Sequence, residues 1–116
     1  MLIDLPTRIK NIPFPIRCVT AQQAAKEIAE NSGLLIDVRE PGEVEACPVN
    51  RALNFPRGVL EMRMLEAVKD PTHPLYIHCA SGVRAKLAAE QLLKMGYENV
   101  NVVTCSVDDI KCAVDV

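Results

Sequence analysis

Short apolar runs alternate with segments of helical periodicity along nearly the whole chain. The runs are predicted to be strands, and they cover residues 16–19, 34–38, 52–54, 75–77 and 99–103. Between most of them, apolar residues recur every three or four positions, which is the spacing of one helix face. This alternation predicts an α/β fold with a mostly parallel sheet and helices on both faces.

The N-terminal segment is predicted to differ from the rest of the chain. Residues 1–15 contain Pro6, Pro13 and Pro15, so we expect an extended lead-in and not a helix. Residues 16–116 are predicted to form one domain, because 116 residues suffice to bury a core without a metal or a disulfide.

Composition narrows the function classes. Apolar residues make up 49% of the chain, charged residues 24%, and the net charge is −2. No basic excess points to nucleic acid, and no apolar run is long enough to cross a membrane. The N-terminus lacks the uninterrupted apolar stretch of a secretory signal, so we expect a cytoplasmic protein.

The five cysteines are expected to be free thiols and not zinc ligands, because no two of them form a C-x-x-C pair. Four are expected to be small buried hydrophobes, namely Cys18, Cys47, Cys105 and Cys112. Cys47 also falls in a predicted exposed loop, where it is a candidate second thiol. If it lay near Cys79, the two thiols could form a disulfide.

The fifth cysteine, Cys79, lies between a strand and a helix. It follows the apolar run 75–77, and the helix is predicted to start near Arg84. A thiol at a helix N-terminus lies where backbone N–H groups stabilise a thiolate or a bound anion. We expect N–H groups from residues 80–84 to converge on it, with Gly82 permitting the tight backbone.

Two chemistries use such a loop: hydrolysis of a phosphate ester by a cysteine, and sulfur transfer through a cysteine persulfide. The phosphatase signature places five residues between its cysteine and arginine, whereas four separate Cys79 from Arg84. The shorter loop encloses less space and favours a single terminal sulfur atom over a phosphate group.

Three motifs together resemble the single-domain rhodanese-like sulfurtransferases. They are LIDVREP at residues 35–41 followed by Glu43, ALNFP at 52–56 followed by Gly58, and IHCASGVR at 77–84. The resemblance covers residues 16–112. It implies a rhodanese-like three-layer α/β fold around a mostly parallel sheet of about five strands.

The resemblance also implies a function. Cys79 is the catalytic residue, which takes a sulfane sulfur from a donor such as thiosulfate and holds it as a persulfide. Cyanide or a thiol accepts the sulfur, and a sulfur-relay protein is a further candidate partner. No cofactor, metal, nucleic acid or membrane is implied.

The predicted site residues beside Cys79 fall into two groups. The substrate-binding loop consists of Ala80, Ser81, Gly82, Val83 and Arg84, and Arg84 either binds the substrate anion or pairs with an acidic side chain. Asp37 and Arg39 are expected to support the neighbouring strand ends. His78 is expected to be a packed core histidine, and Arg57 a solvated surface residue.

The chain departs from the family pattern in ways that leave the donor open. The residues CPVNRA at 47–52 replace a stretch that usually carries histidine and glycines, and the usual closing Gly-Gly and Trp are absent. Ala80 and Ser81 stand where some thiosulfate-using members carry basic side chains. A polysulfide or a protein persulfide remains an alternative donor.

Two other functions remain open at this point. The first is a cysteine-dependent phosphatase or arsenate reductase on the same scaffold. The second is a non-enzymatic persulfide carrier for a partner protein.

Overall fold

A single five-stranded sheet organises the computed structural model, which describes residues 1–115. The strands are β1 (Arg17–Val19), β2 (Leu34–Asp37), β3 (Leu53–Asn54), β4 (Leu75–His78) and β5 (Val100–Val103). Their order across the sheet is β1-β5-β4-β2-β3, and every neighbouring pair is parallel. The α/β fold predicted from the alternating pattern is confirmed.

Helices occupy both faces of the sheet. They are α1 (Leu5–Lys10), α2 (Ala21–Asn31), α3 (Pro41–Ala46), α4 (Leu60–Ala67), α5 (Val83–Lys94) and α6 (Val107–Val114). A short 3₁₀ turn, Arg57–Val59, precedes α4. No helix among residues 1–115 is both long enough and apolar enough to span a bilayer.

The two faces of the sheet bury separate apolar clusters because successive residues of a strand point to opposite sides. Ile77 of β4 packs in the cluster that contains residues of α4 and α5. Its neighbour Tyr76 packs in the cluster that contains residues of α2 and α6. Strands β2, β4 and β5 therefore lie in the interior of a three-layer fold.

The prediction of an extended, non-helical segment over residues 1–15 is wrong for residues 5–10, which form α1. Pro6 lies in the first turn, where backbone N–H groups have no acceptor within the helix, so the N–H group that proline lacks costs no hydrogen bond. Asp4 caps the helix, since its carboxylate accepts a hydrogen bond of 2.9 Å from the Thr7 N–H. Arg8 then ties α1 to α5 through a 2.6 Å ion pair with Glu90.

Glu27 of α2 connects three elements on one face of the sheet. Its carboxylate accepts hydrogen bonds of 2.8 and 2.6 Å from Arg17 of β1. It also accepts bonds from the Tyr76 hydroxyl of β4 at 2.7 Å and from the Gln23 side chain at 2.6 Å. Arg17, Gln23 and Tyr76 together lower the pKa of Glu27 to about 2.

Glu27→Gln is expected to destabilise the fold at neutral pH by about 1 kcal/mol, because the pair with Arg17 is partly exposed and screened. A lowered folded-state pKa contributes stability above the unfolded-state value of 4.5, and this is lost as pH falls toward about 2. The difference in free energy of unfolding between Glu27→Gln and the unchanged chain should therefore decrease as the pH falls from 4.5 to 2.

Urea unfolding at several pH values measures this difference. Glu30→Gln, at an exposed position of the same helix, is the control and should change stability little at any pH. A Glu27→Gln effect that stays constant down to pH 2 would contradict the assignment.

Candidate active site at the carboxyl ends of the strands

Cys79 lies at the carboxyl edge of the sheet, directly after the central strand β4. Its side chain is buried, with 1% of the residue exposed. The sulfur accepts hydrogen bonds from the backbone N–H groups of Gly82 at 3.1 Å and Ala85 at 3.3 Å. The thiol therefore faces the first turn of α5, where N–H groups have no partner within the helix.

Gly82 gives the loop its shape through its backbone conformation. It precedes α5 with a φ of +89°, in the left-handed region that disfavours residues with a Cβ. A Cβ at this position would meet no atom within 4 Å, so the requirement is conformational and not one of space. The turn directs the Gly82 N–H back toward the sulfur.

The predicted substrate-binding loop surrounds Cys79, although its amides do not all point at the sulfur. Ala80 and Ser81 are exposed, and Val83 and Arg84 are half-buried. Of the N–H groups expected to converge from residues 80–84, the Gly82 group makes a hydrogen bond to the sulfur. The second donor, Ala85, lies one residue beyond the predicted range.

Arg84 forms a two-pronged ion pair with Glu43 of α3. Its Nη1 and Nη2 donate to the two carboxylate oxygens at 2.6 and 2.9 Å. The Arg84 guanidinium lowers the pKa of Glu43 to about 2. The pKa of Arg84 is raised, chiefly by its hydrogen bonds to the Glu43 carboxylate.

Asp37 and Arg39 form a second, fully buried ion pair at the end of β2. Arg39 donates to the Asp37 carboxylate from Nε at 3.0 Å and from Nη2 at 2.8 Å. Its Nη2 also donates to the Cys47 carbonyl at 2.9 Å. Asn54 of β3 donates to the Asp37 and Arg39 carbonyls at 3.0 and 2.9 Å. Arg39 therefore links the end of β2 to the end of α3.

His78 is completely buried, as expected for a core histidine. Its Nε2 lies 3.7 Å from Asp37 Oδ2, and within the described part of the chain neither ring nitrogen has a hydrogen-bond partner. Burial lowers the pKa of His78, which favours the neutral ring. Cys79 packs in the apolar cluster on the α4–α5 side of the sheet, whereas His78 faces Asp37.

The expectation that the other four cysteines are buried is wrong. Cys18 and Cys112 are exposed, and Cys47 and Cys105 are half-buried, although all five cysteines are free thiols as predicted. Cys18 lies on β1, an edge strand with a solvent-facing side. The Cys47 thiol faces Asp108 Oδ1 at 3.9 Å.

Three further side chains near the site make contacts that the sequence did not predict. Arg57 was expected to be solvated, but it is half-buried and pairs with Glu61 at 3.0 Å. Glu43 belongs to a recognised motif, yet no signal in the sequence identifies Arg84 as its partner. Asn54 likewise stands in a recognised motif, and only the pairing of β3 with β2 shows which carbonyls it binds.

A family comparison identifies the fold that holds this loop. The sequence model of the rhodanese-like domain matches residues 20–112. The chain belongs to the rhodanese-like domain family.

Related proteins share this rhodanese-like domain at moderate identity. A sulfurtransferase of Allochromatium vinosum is 30% identical over 71% of this chain and 76% of its own length. A mitochondrial thiosulfate sulfurtransferase of Saccharomyces cerevisiae is 37% identical over 66% of this chain, although only 58% of its own length is covered. The solution structure of a polysulfide-sulfur transferase homodimer from Wolinella succinogenes superposes with a TM-score of 0.72 and 27% identity. That match covers 89% of this chain and 78% of the other.

Arg39→Met is expected to destabilise this rhodanese-like domain by about 3–5 kcal/mol, because it leaves the buried Asp37 carboxylate without its positively charged partner. The double variant Asp37→Leu/Arg39→Met should recover part of that loss, since no lone buried charge remains. Chemical unfolding at neutral pH measures both differences.

Arg57→Met is the matched control, because it removes a similar arginine–carboxylate pair from a partly exposed position. It should cost less than about 1 kcal/mol. An equal loss from Arg39→Met and Arg57→Met would show that burial does not set the strength of the Asp37–Arg39 pair.

Proposed function

We propose that this rhodanese-like domain is a sulfurtransferase that carries a sulfane sulfur on Cys79 as a persulfide. One observation carries the proposal: the Cys79 sulfur accepts two backbone N–H groups at the start of α5. Such donors stabilise a thiolate before transfer and a negatively charged terminal sulfur after it.

In the first half-reaction, the Cys79 thiolate attacks the outer sulfur of a donor. With thiosulfate, the bond between the two donor sulfurs breaks and sulfite leaves with the bonding electrons. The outer sulfur remains on Cys79 as a persulfide. No external oxidant is needed, because the donor already contains sulfur at the required oxidation level.

In the second half-reaction, a nucleophilic acceptor attacks the outer sulfur of the persulfide. Cyanide becomes thiocyanate, and a thiolate becomes a persulfide. The Cys79 thiolate leaves with the bonding electrons and is ready for another cycle. Neither step requires a strong base once the thiol is ionised, which agrees with the buried, neutral His78.

The burial of the Cys79 sulfur supports transfer of a single sulfur atom over reaction with a phosphate group. Cys79 is 1% exposed, so little space is open to a bulky reactant beside the sulfur. The sulfane sulfur of a donor is a slim terminal atom, whereas a phosphate group brings three further oxygens. The four-residue spacing from Cys79 to Arg84 supports the same choice over phosphatase or arsenate reductase activity.

The setting of the reaction is also part of the proposal. Donor and acceptor are small molecules or a sulfur-relay protein, and the cellular location is the cytoplasm. The five free cysteines support a reducing compartment, where thiols persist.

Incubation with thiosulfate is expected to add one sulfur atom to the peptide that contains Cys79, as read by mass spectrometry without reductant. Cys79→Ser should abolish both this adduct and the formation of thiocyanate from cyanide. The reason is that the hydroxyl of serine is too weakly acidic to act as a nucleophile here without a base. Cys18→Ser, which removes an exposed thiol, is the control and should retain activity.

Three outcomes would redirect the assignment. Full sulfur transfer by Cys79→Ser would refute the proposal. Hydrolysis of an aryl phosphate that disappears in Cys79→Ser would establish the phosphatase alternative. Slow turnover with every small donor, combined with rapid exchange with a sulfur-relay protein, would establish the carrier alternative.

A further inference from the structure

Arg84 carries the one charged side chain of the loop sequence CASGVR at residues 79–84. It is therefore the group in this loop that would attract an anionic sulfur donor. Both of its terminal nitrogens are already engaged, because Nη1 and Nη2 donate to the two carboxylate oxygens of Glu43. This fork-to-fork arrangement is the geometry in which a guanidinium would bind a sulfonate or phosphate group.

Glu43 is held in place independently of Arg84. Its Oε1 also accepts the Glu40 N–H at 3.1 Å, at the start of α3. Its carbonyl accepts a 3.4 Å hydrogen bond from Arg39, which belongs to the buried pair with Asp37. The Glu43 carboxylate therefore contacts Arg84 from a helix whose position is held by hydrogen bonds to the end of β2.

The charges around the loop oppose a strongly anionic donor. Glu43 neutralises Arg84, and the negative charge of Glu40 also acts on that guanidinium. The exposed loop residues Ala80 and Ser81 add no positive charge. A dianion such as thiosulfate therefore has to compete with Glu43 for the Arg84 N–H groups while it approaches a thiolate.

We propose that Glu43 is a specificity-determining residue that occupies Arg84 and directs the site toward less negatively charged sulfur donors, namely persulfides of small thiols. This inference rests on the proposed sulfur transfer through Cys79. It concerns which donor the site accepts, and Glu43 itself takes no part in bond making or breaking.

The transfer from such a donor balances without another reactant. The Cys79 thiolate attacks the outer sulfur of R–S–S–H, and the sulfur–sulfur bond of the donor breaks. The thiolate R–S⁻ leaves with the bonding electrons and takes the proton from the outer sulfur, so that it departs as the thiol R–SH. Cys79 keeps the outer sulfur as a persulfide anion.

Glu43→Gln tests the role of the carboxylate with little change in shape. The glutamine oxygen can still accept the Glu40 N–H, whereas the side chain no longer neutralises Arg84. We expect the KM for thiosulfate to fall about three- to tenfold, with kcat changed less than about twofold, because a released charge contact is worth up to ~1.4 kcal/mol. The KM for an alkyl persulfide should change by less than about twofold.

Two controls assign the effect to Arg84. Glu45→Gln removes an exposed carboxylate from the same helix and should leave both KM values unchanged. In an Arg84→Ala background, Glu43→Gln should no longer lower the KM for thiosulfate. If the decrease persists in that background, the carboxylate acts by general repulsion and not by occupying Arg84.

Direct binding separates this inference from the proposed function. In Cys79→Ser, which cannot form the persulfide, calorimetry should show about three- to tenfold tighter thiosulfate binding when Glu43→Gln is added. An unchanged or weaker affinity, with thermal unfolding showing an intact fold, would overturn the role of Glu43. Absence of sulfur transfer from every donor to the unchanged chain would instead refute the proposed function.

Discussion

The site depends on the contact between the Cys79 sulfur and the first backbone N–H groups of α5. That contact requires a strand to end, a tight turn to follow and a helix to begin within a few residues. The parallel sheet supplies the first condition, because β4 is central and its carboxyl end lies beside that of β2. Gly82, with its positive φ, supplies the second. A buried sulfur therefore meets polar N–H groups in a position that favours negative charge.

Two arginine–carboxylate pairs surround this contact and differ in burial. Asp37 and Arg39 form an interior pair with 1% and 3% of their side chains exposed, and they fasten α3 to β2. Arg84 and Glu43 form an outer pair that is more than one-third exposed and lies beside the loop. Because Arg39 also donates to the carbonyls of Glu43 and Cys47, the interior pair helps to fix the position from which Glu43 reaches Arg84. Stability and donor preference are thus physically connected through one short helix.

The elements near the site were well predicted from the sequence, and the N-terminus was not. The apolar runs before Asp37 and Cys79 are short and continuous, which is typical of strands buried on both faces. The helix at residues 5–10 escaped prediction because proline disfavours a helix interior but not a first turn. Pro6 falls in the first turn of a helix, whereas Pro13 and Pro15 follow its end. The burial of the other cysteines was misjudged because cysteine has no fixed polarity, and exposure depends on the face to which each residue points.

By itself, the sequence determined the alternating α/β order, the position of the thiol between strand and helix, and the four-residue spacing to Arg84. These are local properties of the chain, set by periodicity, turn residues and covalent distance. Only the tertiary structure decided what Arg84 contacts. Glu43 and Arg84 are far apart along the chain, and they meet because β2 and β4 are neighbours and the segments after them leave the same edge of the sheet. The availability of the Arg84 charge to a substrate is therefore a property of the folded sheet and not of the loop sequence.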